Sequence, residues 1–211
     1  MTDSGSKSNE MRRKITRAEK VDQTRRSLLA AAATVVGQEG YENASVSKIT
    51  ALAGVASGTF YNYFESRQDL FNKLLPAIGD ILIDFIRDRV GHTSSGPDKE
   101  RQRLLAYFEF FDENPGFLRL LNEAEVFAPL AYSEHIQRFS IRYIRALQKE
   151  RDEGRLRPFD NDELKAVVFM LLGCRSYMTL LLKESKQPSS ARLVDTYMKL
   201  IAPGLFRQQD H

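Results

Sequence analysis

The sequence predicts an all-α fold of about nine helices. Apolar residues recur at three- and four-residue spacing along most of the chain, and no segment alternates in the manner of a half-buried strand. Twelve glycines and seven prolines in 211 residues leave room for long helices. Those that occur gather with Ser, Asp and Asn at a few breaks, chiefly Gly91–Pro97, Asn114–Gly116 and Gly154–Pro158. A composition of 42% hydrophobic and 28% charged residues is that of a soluble globular protein and excludes a wholly disordered chain. The length suits one sizeable core, or a small domain docked on a larger one.

Each element has its own signal. A first helix from about Arg17 to Gln38 carries Leu28, Ala32, Val35 and Val36 on one stripe and meets Gly37 and Gly40 near its end. Ser45 is the N-cap of a short second helix, Val46–Ala53. Gly54 interrupts it, and a further short helix runs from about Ser57 to Phe64. Ser66 caps a long fourth helix whose stripe reads Leu70, Leu74, Ile78, Ile81 and Phe85, with Pro76 inside it as a bend. The fifth helix covers about Asp98–Asp112, with Leu104, Phe108 and Phe111 inward, and the sixth covers the apolar Phe117–Phe127. A seventh follows Pro129 and reaches Asp152 on a stripe of Ile136, Phe139, Tyr143 and Leu147. The eighth, about Asn161–Lys183, is apolar on more than one side. After a loop at 185–190 the ninth carries Leu193, Tyr197, Leu200 and Ile201 as far as Pro203-Gly204.

The net charge of +3 says little until it is placed along the chain. Residues 11–26 hold seven basic groups (Arg12, Arg13, Lys14, Arg17, Lys20, Arg25, Arg26) against Glu19 and Asp22, a net +5. The rest of the chain therefore sums to −2. Such an arm is either a solvated tail or an electrostatic contact for phosphate backbones. The single cysteine, Cys174, excludes an internal disulfide and any multi-thiolate zinc site, fits a reducing cytoplasm, and reads as a small buried hydrophobe. The N-terminus lacks the apolar core of a secretion signal. No apolar run approaches the roughly 18–20 residues of a membrane span, since Arg175 interrupts the longest, Ala166–Leu182.

The segment SVSKITALA-GVA-SGTFYNYF, residues 45–64, has helix-turn-helix spacing. Val46, Ile49, Leu52, Val55 and Phe60 can form its core, and Gly54 supplies the turn. The second helix is left with an outward surface of Ser57, Gly58, Thr59, Tyr61, Asn62 and Tyr63. Small residues there allow close approach to base edges, the hydroxyl and amide groups can bond them, and the helix N-terminus favours a phosphate. An ordinary αα corner has the same periodicity.

Residues 41–71 also resemble the DNA-binding signature of tetracycline-repressor-type (TetR) transcriptional regulators. The residues that carry the likeness are Ser45, Ile49, Ala53-Gly54-Val55, Gly58-Thr59-Phe60-Tyr61, Tyr63-Phe64 and Arg67. The resemblance implies a mobile basic arm at 1–21, a DNA-binding head at 22–82 and an effector-binding and dimerisation domain at 83–211. It implies that Ser57 and Thr59 approach bases, that Tyr61 and Tyr63 touch phosphates or thymine methyls, and that Ser45, Ser47 and Arg67 hold the flanking backbone. Gly58 and Asn62 complete that set. Two departures stand out. Ala56 occupies the position where many members have a Ser cap, so that Ser57 is left to cap the recognition helix. Arg67 replaces the commoner Lys.

Further along, the resemblance implies a homodimer through the helices near 161–183 and 190–207, two heads spaced for a palindromic operator, and a small-molecule pocket. Independently, the wide apolar surface of the eighth helix fits either a partner or the central buried helix of a monomer. Candidate pocket residues are Phe108, Phe111, Phe117, Leu121, Glu125, Tyr143 and Arg175. Arg175 needs a counter-charge: Glu123 or Glu125, a carboxylate of a second copy, or an acidic ligand. His92, His135 and His211 are scattered, no nucleotide or hydrolase motif appears, and no enzyme activity, metal or cofactor is expected. The function expected is a cytoplasmic, ligand-responsive repressor that is released from double-stranded DNA by a hydrophobic effector. The competing reading is a helical adaptor that binds protein instead.

Overall fold

The computed structural model describes residues 16–91, 96–184 and 189–206. Among them are nine helices and no named strand: α1 (Arg17–Glu39), α2 (Val46–Ala53), α3 (Ser57–Phe60), α4 (Arg67–Arg89), α5 (Gly96–Glu113), α6 (Phe117–Phe127), α7 (Pro129–Asp152), α8 (Asn161–Glu184) and α9 (Ser190–Leu205). The all-α expectation therefore holds. Most of the basic arm, including Arg12, Arg13 and Lys14, lies outside the described residues, as do His92, His211 and most of the 185–190 loop.

Capping explains where the first helices start. Thr16 accepts from the Glu19 N–H while the Glu19 carboxylate accepts from the Thr16 N–H at 2.7 Å, a reciprocal capping box. Ser45, Ser66 and Ser189 each accept from the N–H three residues on. Gly40 and Gly54 end α1 and α2 with positive φ, 85° and 69°.

Helix α2 packs on α1 and α3 on α2, α1 also meets α4, and the head buries Leu28, Val36, Ile49, Phe60, Phe64 and Leu70. The larger body is layered: α4 lies between α5 and α7, α6 joins α1 to α7, α8 covers α7, and α9 covers α5. Its centre is a cluster of rings, with Phe110, Phe111 and Phe117 meeting at centroid distances of 5.3–6.0 Å.

Several expectations need correction. The inward face of α4 beyond Pro76 is Gly79, Leu82 and Ile86, whereas Ile81 is exposed. The helix is clasped by α5 and α7 together, which selects a different line from the one extrapolated from Leu70 and Leu74. On α2, Leu52 is exposed. Helix α3 is one turn long, and the chain continues to Phe64 as hydrogen-bonded turns from Asn62, Tyr63 and Phe64 back to Thr59 and Phe60. Helix α5 begins at Gly96, inside the expected loop. Helix α9 runs through Pro203 and Gly204 to Leu205, and Leu200 lies outside its buried line of Val194, Tyr197, Met198 and Leu205. Phe206 then forms an isolated bridge with Leu156, tying the α7–α8 connection to the end of α9. By length and composition α8 does reach what a membrane span requires. Arg175 at its middle is buried against an ion-pair partner within the protein, so the helix is seated as a body helix.

One close approach positions α4 against α7. A Cβ built on Gly79 would overlap the ring of His135, which is buried there and only 5% exposed. Burial pushes the His135 pKa down from 6.5 to about 4, opposed in part by nearby Asp80. The folded state thus binds this proton more weakly than the unfolded chain does. The associated stability is fully present above about pH 6.5 and is lost as pH falls towards 4, on the order of 3 kcal/mol in all. Urea unfolding between pH 7 and 4 should show this decline, and His135→Gln should flatten that part of the profile.

Candidate nucleic-acid interface and effector cavity

The exposed surface of the head is assembled around a buried pin. Phe60 is fully buried, with Phe64 at 5.5 Å and Tyr61 edge-on at 5.3 Å. Pinning Phe60 turns its neighbours on α3 outward: Ser57, Gly58, Tyr61 and Asn62 are exposed, and Thr59 and Tyr63 are half-buried. Nothing lies within 4 Å of a Cβ built on Gly58, so this stretch is bare backbone open to an approaching surface. The α2–α3 turn is held by the Val55 N–H donating to the Thr50 carbonyl at 3.0 Å.

Ser57 does not cap α3. Its hydroxyl lies 3.3 Å from Thr50 Oγ1 on α2, and Ala56 at the cap position supplies no side-chain bond. The α3 N-terminus therefore has no side-chain cap, and the Thr59 N–H bonds the Ala56 carbonyl at 2.9 Å. Ser45 and Ser47 sit side by side at the α2 N-terminus, hydroxyls 3.0 Å apart. Arg67 donates to the Glu42 carbonyl at 3.3 Å, lies over Phe71 and is exposed. The sequence-derived set thus gathers along two adjacent helix starts and the head of α4. On α1, Arg17, Lys20, Arg25 and Arg26 are exposed as well.

The head is fastened to the body at the end of α1. Arg119 on α6 donates to the Gln38 carbonyl at 2.7 Å and to Glu123 at 2.7 Å, and Glu123 accepts the Tyr41 N–H at 2.9 Å. Burial alone would raise the Glu123 pKa, but the bonds from Arg119 and the Tyr41 N–H outweigh it and hold the carboxyl below its usual range. A Cβ on Gly37 would come 2.7 Å from Gly116 Cα, so both positions need glycine for the two helices to touch. A second link joins Gln68 of α4 to the Phe127 carbonyl at 3.0 Å.

Within the body, a cavity of about 480 Å³ opens between the C-terminal halves of α4 and α7 and the start of α5. Ile83, Ile86, Phe139 and Ala146 give it an apolar wall, and Arg87, Arg142 and Lys149 stand exposed around it. Its floor is a buried network. Glu100 Oε1 accepts from Arg175 at 2.8 Å, Tyr143 at 2.6 Å and Tyr197 at 2.9 Å, and Arg175 also donates to the Tyr143 oxygen at 2.6 Å. The guanidinium stacks 4.5 Å from the Tyr143 ring. Burial raises the pKa of both tyrosines, so they remain neutral donors. Burial opposes the charged form of Arg175, yet the field of its neighbours, Glu100 among them, raises its pKa overall, and the cation persists.

This geometry corrects the partner expected for Arg175. The carboxylate is Glu100 of α5; Glu123 is engaged at the α1–α6 junction and Glu125 is exposed on α6. Cys174, next to Arg175, is exposed rather than buried, because consecutive helix positions point about 100° apart. Of the sequence-derived pocket residues, Tyr143 and Arg175 line the cavity. Phe108, Phe111 and Phe117 are core, Leu121 is half-buried and Glu125 is exposed, and none of them lines it. Lys99 and Arg103 were missed. One signal could have found them: Glu100 falls on the Leu104–Phe108–Phe111 stripe, a carboxylate at an inward position that demands cations nearby.

An N-terminal helix-turn-helix head joined to an all-α body with an internal cavity defines the class. Residues 28–74, the helix-turn-helix head, match the family model of bacterial regulatory proteins, tetR family. The uncharacterized HTH-type transcriptional regulator YvdT of Bacillus subtilis is 41% identical over 63 residues, 30% of each chain. The HTH-type transcriptional activator FasR of Mycolicibacterium smegmatis is 29% identical over 102 residues, 48% of this chain and 47% of that one. The match thus spans less than half the length of these curated relatives. Over the whole fold, the transcriptional regulator FadR from Bacillus subtilis in complex with stearoyl-CoA superimposes with a TM-score of 0.70 at 18% identity, covering 85% of this chain and 98% of that one.

The network makes one prediction of stability. Arg175→Met leaves the Glu100 charge buried without its main partner and should cost about 3–5 kcal/mol in chemical denaturation. The double variant Glu100→Gln/Arg175→Met should recover much of that loss, since no unpaired charge then remains.

Proposed function

We propose that the protein is a ligand-responsive transcriptional regulator that binds a palindromic operator as a homodimer and is released by an amphipathic effector. One observation carries the DNA-binding part: the exposed face of α3 presents hydrogen-bonding groups and bare backbone on a pinned helix within the segment that matches the tetR-family model. The division is a head at 22–82 and a body at 83–211, and the site of action is the cytoplasm. Ser57, Thr59 and Asn62 read base edges; Tyr61, Tyr63, Ser45, Ser47 and Arg67 engage phosphates and sugars.

Dimerisation is supported by the outer face of α8. Phe169, Met170, Tyr177, Leu180 and Leu181 are exposed there, and Leu200 of α9 is 77% exposed. A patch of this kind on a body helix is what a self-complementary interface buries. The cavity, with its apolar wall and basic surround, suits an apolar chain that carries an anionic group. That chemistry agrees with the acyl thioester bound by the structural relative.

Release works through two elements that touch both cavity and head. Helix α4 carries Ile83 and Ile86 at the cavity and Arg67 in the head. Helix α6 holds the end of α1 through Arg119 and Glu123. An effector that favours one setting of α4 changes the separation of the two heads, and release needs a differential affinity of a few kcal/mol.

Electrophoretic mobility with the protein's own promoter region tests this reading. Nanomolar binding with a steep salt dependence is the expected result, and its absence would leave the adaptor reading in place. Tyr61→Ala should weaken operator binding by about ten- to a hundredfold with an unchanged melting temperature, because this side chain is 63% exposed.

A further inference from the structure

The cavity offers two places for an anionic group, and they differ in solvation. Around the opening, Arg87, Arg142 and Lys149 are 66%, 47% and 73% exposed as side chains, so water already screens them. At the inner end, Lys99, Arg103 and Arg175 are 15%, 12% and 2% exposed. Two carboxylates stand against these three cations. Glu150 pairs with Lys99 at 2.9 Å and is shared with Arg155, and Glu100 pairs with Arg175 at 2.8 Å. Arg103 only approaches Glu100 Oε2, at 3.5 Å. Its Nη1 and Nε of Arg175 are buried with no hydrogen-bond partner, and so is the Oε2 of Glu100 that Arg103 approaches.

Buried guanidinium N–H groups that make no hydrogen bond, beside a cavity whose inner cations outnumber its carboxylates, amount to a seat for an anion. We propose that the effector is a free carboxylic acid on an apolar chain, bound with its carboxylate inward at Arg103 and Arg175 and its chain along Ile83, Ile86 and Phe139. This rests on the reading of the cavity as an effector site and adds the chemical class of the ligand and its direction. An acyl thioester would set a neutral carbonyl where the acid sets a charge, leaving Arg103 with only its long approach to Glu100 and its own head group at the exposed cations. The acid completes the inner charge balance and satisfies the donors in the least hydrated part of the site.

Calorimetric titration of the full chain with dodecanoate, dodecanol and dodecanoyl-CoA at pH 7.5 tests the inference, with operator release followed in parallel. Dodecanoate should bind about ten- to a hundredfold more tightly than dodecanol and should release the operator. Arg103→Gln removes a group whose Nη1 makes no hydrogen bond in the fold, and it should narrow the acid-over-alcohol ratio to within about twofold. Lys149→Gln at the opening should leave that ratio in place. Preference for dodecanoyl-CoA, or an acid-over-alcohol ratio untouched by Arg103→Gln, would overturn the inward carboxylate while leaving an amphiphile-responsive cavity. Failure of all three compounds to bind would remove the effector reading of the cavity together with this inference.

Discussion

The buried Glu100–Arg175 pair is the constraint on which the body is built. Taking two charges out of water costs several kcal/mol each, and mutual attraction repays it only when the remaining donors and acceptors are satisfied. Here Glu100 Oε1 accepts from Arg175, Tyr143 and Tyr197, so the carboxylate of α5 gathers one donor each from α8, α7 and α9. Four helices are brought to one atom, and each must present a particular side chain there. Hydrophobic burial alone is non-directional and would let α8 rotate on α7; a hydrogen-bonded charge pair fixes that rotation. Once it is fixed, Val168 and Leu171 face the core, while Phe169, Met170 and Tyr177 face away.

The same rotation accounts for where the cavity lies. Arg175 and Tyr143 occupy volume with polar groups that cannot be packed over by apolar side chains without stranding a charge. The space beside them is bounded by α4 on one side and α7 on the other, and α4 is the helix that continues into the head. At the head, rigidity comes from other means: a reciprocal capping box on α1, serine caps on α2 and α4, and the fully buried Phe60. The two regions meet through few groups. Arg119 and Glu123 grip the Gln38 carbonyl near the end of α1 and the Tyr41 N–H just beyond it, and Gly37 lies against Gly116. The bond from Gln68 to the Phe127 carbonyl and α4 itself complete the connection between the regions.

How much of this was legible in the sequence depended on the range of the interaction that decides each feature. Caps and helix starts are local, and Ser45, Ser66 and the bounds of α2 and α6 could be read directly. The outward α3 surface follows from one pinned aromatic and was legible for the same reason. Ile81 and Leu52 were misplaced because apolar spacing names a stripe but not which neighbours will cover it. The partner of Arg175 is 75 residues distant in sequence, and Glu123 and Glu125 were no less plausible by composition. Aromatic residues of α5 and α6 looked like pocket lining because core and pocket obey the same periodicity. The cavity itself is a gap between four helices, and a gap has no residue pattern of its own.

Helix α8 concentrates these lessons. Its apolar excess was read as a sign of a second covered face, and its single arginine as an anomaly to be matched. Both features follow from one orientation of the helix. With Arg175 turned inward to Glu100, Cys174 is carried to the outside beside Gly173 and Tyr177, and the remaining apolar residues are left without cover in one chain. An apolar helix of this length would otherwise pass for a membrane span. A paired charge at its middle is incompatible with lipid on that side and compatible with protein on both. The arginine therefore does more than stabilise the body: by fixing which face of α8 is buried, it also determines which apolar face is left exposed.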